Sequence, residues 1–403
     1  MHLLLPVLFF LPYPSSPFTA RPTMSSLDED EMQTALSYYV LYAQLAEDAA
    51  GGGPSPSAPA STPSTIASTT STAFPIEVGT GNDEHEHWIE DADWTDKRMS
   101  ESRNLLEKNE ALCDVETSSA RGSYLVRQYE VNAGKHWDDF YSRHDTKFFK
   151  DRHYLHKTFP DEFGPLYSER SDTKSDDCRG GDTTCDRGTG DTFTVMEIGC
   201  GVGNTLLPLL ERGASAVVNG KRRRIRVWGL DFASVAIDLL KKDRRYIDAA
   251  SDGRAMAGVW DITQAPPSMY EIGSISDVSI LLFCLSAVSP DKMPDAARHA
   301  ASTLKPGGTL VFRDYGRYDE AQMKLGTSRC KRLGDNFYVK SDGTRCYYFD
   351  LDDLRRLFGE GGAGLEIIEL KYLRRVYENR SQDSTRTRVW VQGRFRKPGV
   401  LSN

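Results

Sequence analysis

The chain has 403 residues, of which 39% are hydrophobic, and its formal net charge is −8. That charge is uneven, because residues 1–116 hold 5 Lys and Arg against 19 Asp and Glu, whereas residues 117–403 hold 45 against 39. Such a composition allows one substantial hydrophobic core with a long acidic appendage. Seven cysteines, an odd number without paired spacing, exclude a small scaffold held by disulfides and indicate reduced thiols.

The N-terminal region divides into two parts by composition. Residues 51–73 are mostly Gly, Ser, Pro, Ala and Thr without any charge, and we predict that residues 1–80 are disordered because such segments cannot offset the entropy of ordering. Residues 81–130 form an acidic extension in which the charge and leucine spacing from residue 101 predicts a helix. The apolar run at residues 3–11 is too short to span a membrane and lacks a basic flank. We expect a cytoplasmic protein without a membrane segment, with a mitochondrial or plastid leader as the alternative.

The most informative segment, within a predicted domain at residues 131–397, is a glycine turn. An apolar stretch leads into Gly199, Gly201 and Gly203, and an apolar helical pattern begins at Leu206. A strand, a glycine turn and a helix in this order let the backbone approach a nucleotide-like cofactor. The spacing E-x-G-x-G-x-G differs from the pyrophosphate-binding G-x-G-x-x-G and favours S-adenosylmethionine. The alternative for the turn alone is a tight connection without a ligand.

Two further strand ends carry carboxylates. The pattern at residues 226–230 predicts a buried strand ending at Asp231, which can accept hydrogen bonds from both hydroxyls of a ribose. A third, short strand ends at Asp261, which can bind an adenine amino group while Ile262 packs on the ring. Taken singly, Asp231 is also a helix N-cap candidate and Asp261 a candidate loop residue. Three strand ends in chain order favour the S-adenosylmethionine interpretation.

The downstream pattern predicts a doubly wound α/β domain. Residues 278–283 predict a fully buried strand, with Leu282 near its end as a cofactor contact. A helix at residues 290–304, a turn at 305–308 and a strand at 309–312 follow. Alternating strands and helices predict a mostly parallel sheet with ligands at the carboxyl ends of its strands. We therefore predict the class I methyltransferase fold, with seven strands.

Several strings outside the generic glycine turn carry a specific resemblance. They are residues 137–141 (WDDFY), 148–152 (FFKDR), 197–204 (EIGCGVGN), 285–293 (LSAVSPDKM), 312–316 (FRDYG), 336–340 (NFYVK) and 342–345 (DGTR). With these strings the chain resembles the tRNA 3-methylcytidine methyltransferases of the methyltransferase-like group, over residues 131–396. The acidic segment around Trp88 and Trp94 is similar to the threonine-tRNA branch of that family.

This resemblance implies a substrate and a set of contacts. It implies methyl transfer from S-adenosylmethionine to N3 of cytidine 32 in the anticodon loop of threonine or serine tRNAs. Besides tRNA, an aminoacyl-tRNA synthetase or another helper protein is a candidate partner. The resemblance also favours a lid at residues 131–165 whose Trp137 and Tyr141 contact the cofactor and exclude water; the alternative is that these aromatic side chains cover the sheet edge and close the core. The RNA contacts that it implies are Lys150, Arg152, Lys340 and Arg345, the last two flanking a hairpin turn at Asp342 and Gly343.

The substrate defines the chemistry that the site must perform. Cytosine N3 has an in-plane lone pair that base pairing hides, so the target base must be unpaired or flipped out. Aligning that lone pair with an electrophilic methyl group is catalysis by proximity and needs no covalent nucleophile. A carboxylate beside the base would stabilise the developing positive charge, and Asp314 is our candidate. Arg313 would bind the base carbonyl or a phosphate, and Tyr315 would stack on the base. The alternative is an Arg313–Asp314 ion pair that braces the strand.

Two other classes of function remain open at this point. One is a methyltransferase acting on a protein or a small molecule, against which FFKDR and DGTR argue. The other is a non-catalytic subunit that helps a partner to bind tRNA, against which the intact glycines and the two strand-end aspartates argue. His85 and His87 lie in an acidic segment without further ligand spacing, and we expect no metal site.

Overall fold

The described part of the chain excludes most of the N-terminal region. The computed structural model describes residues 99–108, 120–167, 192–212, 215–218, 221–326, 331–379 and 384–399. The predicted disordered region at residues 1–80 lies outside them. Of the helix predicted from residue 101, residues 99–108 and Ala120–Val131 are helical, and residues 109–119 lie outside the described part of the chain.

Helices and strands alternate through most of the domain. The helices are α1 Ala120–Val131, α2 Ala133–His144, α3 Leu155–Thr158, α4 Pro160–Tyr167, α5 Leu206–Glu211, α6 Ser234–Leu240, α7 Arg244–Ser251, α8 Met293–Ser302, α9 Glu320–Gly326 and α10 Leu351–Phe358. The strands are β1 Thr192–Ile198, β2 Ser215–Val218, β3 Lys221–Asp231, β4 Ala255–Val259, β5 Ser276–Leu282, β6 Leu304–Tyr315, β7 Arg332–Gly334, β8 Phe337–Val339, β9 Arg345–Tyr347, β10 Glu366–Asn379 and β11 Ser384–Arg396. Short 3₁₀ turns lie at Ser268–Tyr270, Leu285–Ala287 and Pro290–Lys292.

The main sheet follows the predicted class I methyltransferase architecture. Its strand order is β10-β11-β6-β5-β1-β3, and β3 pairs along its other edge with both β2 and β4. The central pairs β1–β3, β1–β5, β3–β4 and β5–β6 are parallel, whereas β2, β10 and β11 run antiparallel to their neighbours. Within the described residues the sheet has eight strands instead of the predicted seven, because β2 covers the part of β3 that β4 does not reach.

The predicted turn at residues 305–308 is instead a bulge inside β6. Leu304 pairs with Ser276 and Thr309 pairs with Val278, so four residues of β6 lie opposite a single residue of β5. Gly307 has a φ of +79°, a conformation that glycine adopts without steric cost. The strand therefore begins before this glycine-containing segment and continues after it.

Hydrophobic side chains cover both faces of the sheet. Neighbouring residues of β1 point to opposite faces, so Met196 packs in one core cluster and Val195 in the other. The first cluster includes α8 and α10, and the second includes α3 to α7. Helices on both faces leave the carboxyl ends of the parallel strands free for a ligand site. Among the described residues, no helix is long and apolar enough to cross a bilayer.

A small antiparallel sheet is inserted between β6 and α10. Strands β7, β8 and β9 form it, and residues 340–344 connect β8 to β9 as a hairpin, as predicted from the sequence. Gly343 in that turn has a φ of +82°, and a Cβ there would lie 2.4 Å from Nδ1 of His136 on α2. The hairpin turn is therefore packed against the helix that carries the WDDFY string.

Candidate active site

Two adjoining cavities lie at the carboxyl ends of the parallel strands. The larger has a volume of about 520 Å³ and the smaller about 300 Å³. Both are lined by Trp137, Tyr141, Gly199, Phe283, Ala287 and Arg345. The smaller cavity alone is lined by Asp231, Asp261 and Ile262, whereas the larger alone is lined by Leu282, Ser286 and Tyr315. A ligand in one cavity would therefore contact a ligand in the other at the shared residues.

The glycine turn forms part of the shared wall. Gly199 and Gly201 have φ angles of +77° and +53°. A Cβ on Gly199 would lie 2.4 Å from Sγ of Cys284, and one on Gly201 would lie 2.6 Å from Oη of Tyr141. Gly203 lines neither cavity. A Cβ at this position would meet Leu240 on α6. The first two glycines therefore allow close approach of the backbone at the cavities, and Gly203 allows close packing of helices.

Asp231 connects the glycine turn to the start of α6. Its Oδ2 accepts a hydrogen bond of 2.7 Å from the Gly201 N–H, and its Oδ1 accepts one of 2.8 Å from the Ala233 N–H. Burial raises the pKa of Asp231 to about 6, although these two backbone donors oppose the shift. The N-cap interpretation and the cavity interpretation of Asp231 both hold. Asp261 accepts from the N–H and the hydroxyl of Thr263 at 2.9 and 2.8 Å, which fixes its carboxylate at the cavity wall.

Helix α2 covers both cavities with its aromatic side chains. The rings of Trp137 and Tyr141 are stacked with their centroids 6.0 Å apart. Burial raises the pKa of Tyr141 well above its ordinary value, so its phenol is a neutral donor. Asp138 on the same helix accepts a 3.0 Å hydrogen bond from the Val235 N–H in the first turn of α6. A side-chain cap contributed by another helix fixes α2 over the site.

Asn204, the last residue of the EIGCGVGN string, connects that string to FFKDR. Its Nδ2 donates to the Phe149 carbonyl at 3.0 Å and to Oδ1 of Asp151 at 3.1 Å. The backbone carbonyl of Asn204 accepts a 2.7 Å hydrogen bond from the Arg152 backbone N–H. The FFKDR string is therefore held against the glycine turn. Lys150 in that string is exposed, whereas Phe149 and Arg152 line the larger cavity.

Glu197, the acidic residue of E-x-G-x-G-x-G, is fully buried beside this junction. Neither carboxyl oxygen has a hydrogen-bond partner of ordinary geometry, and burial raises its pKa to about 7. The closest cation is Arg152, whose Nη1 lies 3.7 Å from Oε1 of Glu197 and donates to the Thr205 hydroxyl at 2.9 Å. Arg152 was predicted to reach RNA phosphate, but its guanidinium points to the protein interior. The charge of this buried acid is therefore only partly compensated by Arg152.

The candidate catalytic carboxylate, Asp314, lies behind the cavity wall. It is fully buried, and its two oxygens accept 2.9 Å hydrogen bonds from the N–H groups of Ser286 and Tyr315. Burial raises its pKa to about 6. Asp314 lines neither cavity, whereas Ser286 and Tyr315, the residues it binds, line the larger one. The carboxylate therefore acts on the site through these neighbours.

Arg313 and Tyr315 point to the face of β6 opposite to Asp314, because side chains alternate along a strand. The Arg313 guanidinium is buried on the other face of the sheet and donates to Oε1 of Gln392 at 2.5 and 3.1 Å. Arg313 therefore does not line either cavity, and the predicted contact with the base is not supported by its position. Tyr315 does line the larger cavity, and its ring lies 5.3 Å from that of Phe283.

The predicted RNA contacts on the hairpin differ in exposure. Arg345 is 8% exposed, and its Nη1 donates to the Ser289 hydroxyl at 2.8 Å and to the Glu130 carboxylate. Burial opposes ionisation of Glu130, but Lys292, Ser289 and Arg345 together lower its pKa to about 2. Arg345 is thus part of a polar cluster that ties α1 to β9, which is a different position from the predicted phosphate contact. Lys340 lies with Nζ 5.5 Å from the Tyr315 ring centroid, inside the larger cavity.

Sequence reasoning missed several residues of the larger cavity. Phe283 lies at the end of β5 with a φ of +55°, a rare conformation for an aromatic residue. Arg388 and Trp390 come from β11, and the Arg388 guanidinium is 5.5 Å from the Tyr315 ring. Asp319 holds Arg388 through a 2.8 Å bond. No local pattern marks these residues, because the antiparallel end of the sheet brings β11 to the site from far along the chain.

The fold and the strand-end acids define a methyltransferase site, and comparison with known proteins agrees. A family model described as a methyltransferase domain matches residues 148–370. In the described part of the chain, no group of three or more His, Cys, Asp or Glu side chains is arranged to hold a metal ion. The class of the protein is therefore that of a methyltransferase with a nucleoside-type cofactor site.

Similarity to curated proteins narrows the family. The chain is 36% identical over 330 residues to a Xenopus tropicalis protein named tRNA N(3)-cytidine methyltransferase METTL2, which covers 78% of this chain and 90% of the relative. It is 35% identical over 305 residues to Drosophila melanogaster tRNA N(3)-methylcytidine methyltransferase Mettl2, covering 76% and 83%. It is also 31% identical to Dictyostelium discoideum O-methyltransferase 3, covering 76% and 78%. The chain belongs to the tRNA N(3)-cytidine methyltransferase METTL2 family.

Proposed function

We propose that this protein transfers the methyl group of S-adenosylmethionine to N3 of a cytidine in tRNA. The observation that carries the proposal is the pair of adjoining cavities, one with strand-end carboxylates and one with aromatic rings and cations, which share a wall at Gly199 and Phe283. The first set of groups suits a nucleoside cofactor and the second an unpaired base with its phosphates. The names of the relatives support the same substrate.

The residues of the smaller cavity fit S-adenosylmethionine. A Cβ at Gly199 or Gly201 would clash with Cys284 or Tyr141, so glycine at these positions keeps both lining residues in place. Asp231 would hold the ribose and Asp261 and Ile262 the adenine, while Trp137 and Tyr141 of the shared wall and Leu282 of the larger cavity would cover the remaining surface. When bound, the cofactor supplies an electrophilic methyl group on a sulfonium.

The buried Glu197 and Arg152 extend this site toward the amino-acid end of the cofactor. The Glu197 carboxylate has no hydrogen bond of ordinary geometry, and it would accept one from an ammonium group. Arg152 is 3.7 Å away and would donate to a carboxylate. This assignment replaces the phosphate contact that the sequence suggested for Arg152, since the guanidinium is turned inward.

The residues of the larger cavity would hold the target base and its flanking phosphates. Phe283, Tyr315 and Trp390 present aromatic faces on which a flipped base can stack, and Lys340 and Arg388 add positive charge beside Tyr315. Exposed Lys150 would contact RNA outside the cavity. These residues align the N3 lone pair with the methyl group and exclude water, and no proton has to be removed.

Finer features of the substrate belong to the same proposal. We place the target at cytidine 32 of the anticodon loop in threonine or serine tRNAs, with an aminoacyl-tRNA synthetase as the candidate helper. Residues 137–141, 148–152 and 342–345 resemble the tRNA 3-methylcytidine methyltransferases, and the segment around Trp88 and Trp94 resembles their threonine-tRNA branch, which supports this assignment. Location in the cytoplasm stays a prediction.

Nucleoside mass spectrometry tests the proposal directly. Purified tRNA is incubated with the full chain and labelled cofactor, and we expect label in 3-methylcytidine. The Dictyostelium relative is named an O-methyltransferase, so label in a 2′-O-methylated nucleoside would favour that reaction instead. If label appears in neither nucleoside, even after addition of seryl- or threonyl-tRNA synthetase, the tRNA substrate is wrong.

A further inference from the structure

The loop that follows β5 brings one hydroxyl group to the wall of the larger cavity. Ser286 lines the larger cavity only, but the next residue, Ala287, lines both cavities. The loop begins with Phe283 in a left-handed conformation and continues as the 3₁₀ turn Leu285–Ala287. Ser286 is therefore on the acceptor side of the shared wall, one residue away from the cofactor side.

Asp314 holds Ser286 in place from the side away from the cavity. Its Oδ2 accepts the 2.9 Å hydrogen bond of the Ser286 N–H, which places the Ser286 side chain beside the Asp314 carboxyl, and the hydroxyl contributes to lowering the pKa of that carboxyl. Asp314 is fully buried and does not line the cavity, so Ser286 is the group that a ligand meets. A carboxylate accepts only, so a hydroxyl beside it must donate its proton to it. The Ser286 oxygen is then left with lone pairs for a donor in the cavity.

We propose that Ser286 recognises the exocyclic amino group of the target cytosine, with Asp314 as a positioning residue that holds the Ser286 hydroxyl as a hydrogen-bond acceptor. This inference rests on the proposed function, because it requires a cytosine in the larger cavity. Cytosine presents an N4 amino donor next to N3, whereas uracil presents an oxygen acceptor at that position. A hydroxyl whose proton is committed to Asp314 accepts from the first base and repels the second.

The same contact supports the chemical step. The N3 lone pair forms the new N–CH₃ bond as the carbon–sulfur bond breaks, and the base gains one positive charge. That charge is shared with the N4 amino group, whose N–H becomes a stronger donor. The Ser286 acceptor therefore binds the transition state more tightly than the ground state, which is the condition for catalysis. The amino group keeps both protons, and the sulfur keeps the electron pair of the broken bond.

A base without the amino group tests the recognition step. An anticodon stem-loop RNA is made with either cytidine or the 2-pyrimidinone ribonucleoside, which keeps N3 but lacks the amino group. For the full-length protein, RNA affinity and single-turnover methylation are measured with both RNAs. We expect Ser286→Ala to reduce the preference for cytidine about tenfold, as expected for one lost hydrogen bond, mainly by weakening the reaction of the cytidine RNA. Ser302→Ala, which removes an exposed serine on α8, is the matched control and should keep the full preference.

A double variant of Asp314 and Ser286 tests the positioning role of Asp314. Asp314→Asn places an amide where the Ser286 hydroxyl needs an acceptor, so part of the preference for cytidine should be lost. Combining it with Ser286→Ala should reduce the preference no further than Ser286→Ala alone, because both changes remove the same contact. If Asp314→Asn fails to fold, the Ser286→Ala comparison still decides the proposal.

The outcomes separate this inference from the proposed function. If the wild-type protein methylates the cytidine RNA and Ser286→Ala keeps the full preference over the 2-pyrimidinone RNA, then Ser286 does not recognise the amino group and the inference is wrong. If the wild-type protein methylates neither RNA nor intact tRNA, the proposed function itself is overturned, and this inference with it.

Discussion

The two cavities are built in different ways. The smaller cavity is formed largely by backbone and side chains at the ends of successive strands, with Gly199, Asp231 and Asp261 in chain order. The larger cavity takes side chains from distant parts of the chain, including Tyr315 on β6, Lys340 in the hairpin and Trp390 on β11. One cavity is therefore determined by local strand-to-helix connections, and the other by how separate elements pack together.

Two aspartates near the cavities show the same contrast. Half-buried Asp231 at the smaller cavity and fully buried Asp314 behind the larger one both have pKa values of about 6, and each accepts hydrogen bonds from two backbone N–H groups. Asp231 lines its cavity directly, whereas Asp314 reaches its cavity only through Ser286 and Tyr315. A carboxylate at a strand end is thus not evidence of ligand contact until the neighbouring loop is known.

The largest expected effect is at the shared wall. Gly199→Ala puts a Cβ 2.4 Å from Cys284 Sγ at a φ of +77°, so both backbone strain and a displaced loop follow. We expect cofactor affinity in calorimetry to fall about 100-fold or more, from strain of about 1–2 kcal/mol and overpacking of about 1–3 kcal/mol. Gly253→Ala has a similar φ of +75° with open space around it, so it reports the strain alone. Equal losses of affinity in both variants would show that close approach at Gly199 is unimportant.

The pH dependence of stability tests the buried acid that precedes the glycine turn. Glu197 has a folded pKa of about 7 against an ordinary 4.5, so its stabilising contribution is full below about pH 4.5 and is lost as the pH rises through 7. The free energy that it costs above pH 7 is roughly 3 kcal/mol. Glu197→Gln should therefore gain stability relative to wild type between pH 5 and pH 8 in thermal or urea unfolding. Glu360→Gln changes an exposed acid and should show no such gain. If the stability of Glu197→Gln follows the same pH dependence as that of the wild type, the raised pKa of Glu197 is wrong.

The next effect concerns the strand-end carboxylate. Asp231→Ala removes the acceptor of the Gly201 and Ala233 N–H groups and the proposed ribose contact. A charged hydrogen bond contributes about 1.5–3 kcal/mol, so cofactor affinity should fall about tenfold or more. Asp238→Ala, on the exposed side of α6, is the control. Unchanged calorimetric affinity in a folded Asp231→Ala protein would contradict the cofactor assignment.

The smallest effect separates exposed from buried cations on the RNA side. Lys150→Ala should weaken tRNA binding a few-fold and reduce the salt slope by about 1, because it removes one phosphate contact, without changing the melting temperature. Arg345→Ala should instead lower the melting temperature, because it removes one cation from the cluster around Glu130 and one donor from Ser289, and keep the salt slope. A reduced salt slope for Arg345→Ala would restore the sequence-based prediction.

Much of the fold followed from pattern alone. The glycine turn, the buried strand before Asp231 and the hairpin at Gly343 are local features, each determined by side-chain periodicity or backbone conformation within a few residues. The eighth strand and the bulge at residues 305–308 did not follow, because edge pairing and register depend on the partner strand. Arg313 and Asp314 were predicted together at the site, but adjacent strand residues point to opposite faces, and this separates them.

The sequence by itself determined the architecture, the family resemblance and the backbone half of the site around Gly199 and Asp231. These depend on short-range periodicity and on glycines at φ angles that other residues adopt only with strain. Only the tertiary structure decided that Arg345 is buried against Glu130, that Arg152 faces Glu197, and that Ser286 stands between Asp314 and the larger cavity. The physical reason is that burial and the partners of a charged side chain depend on contacts between elements far apart in the chain, which no local pattern records.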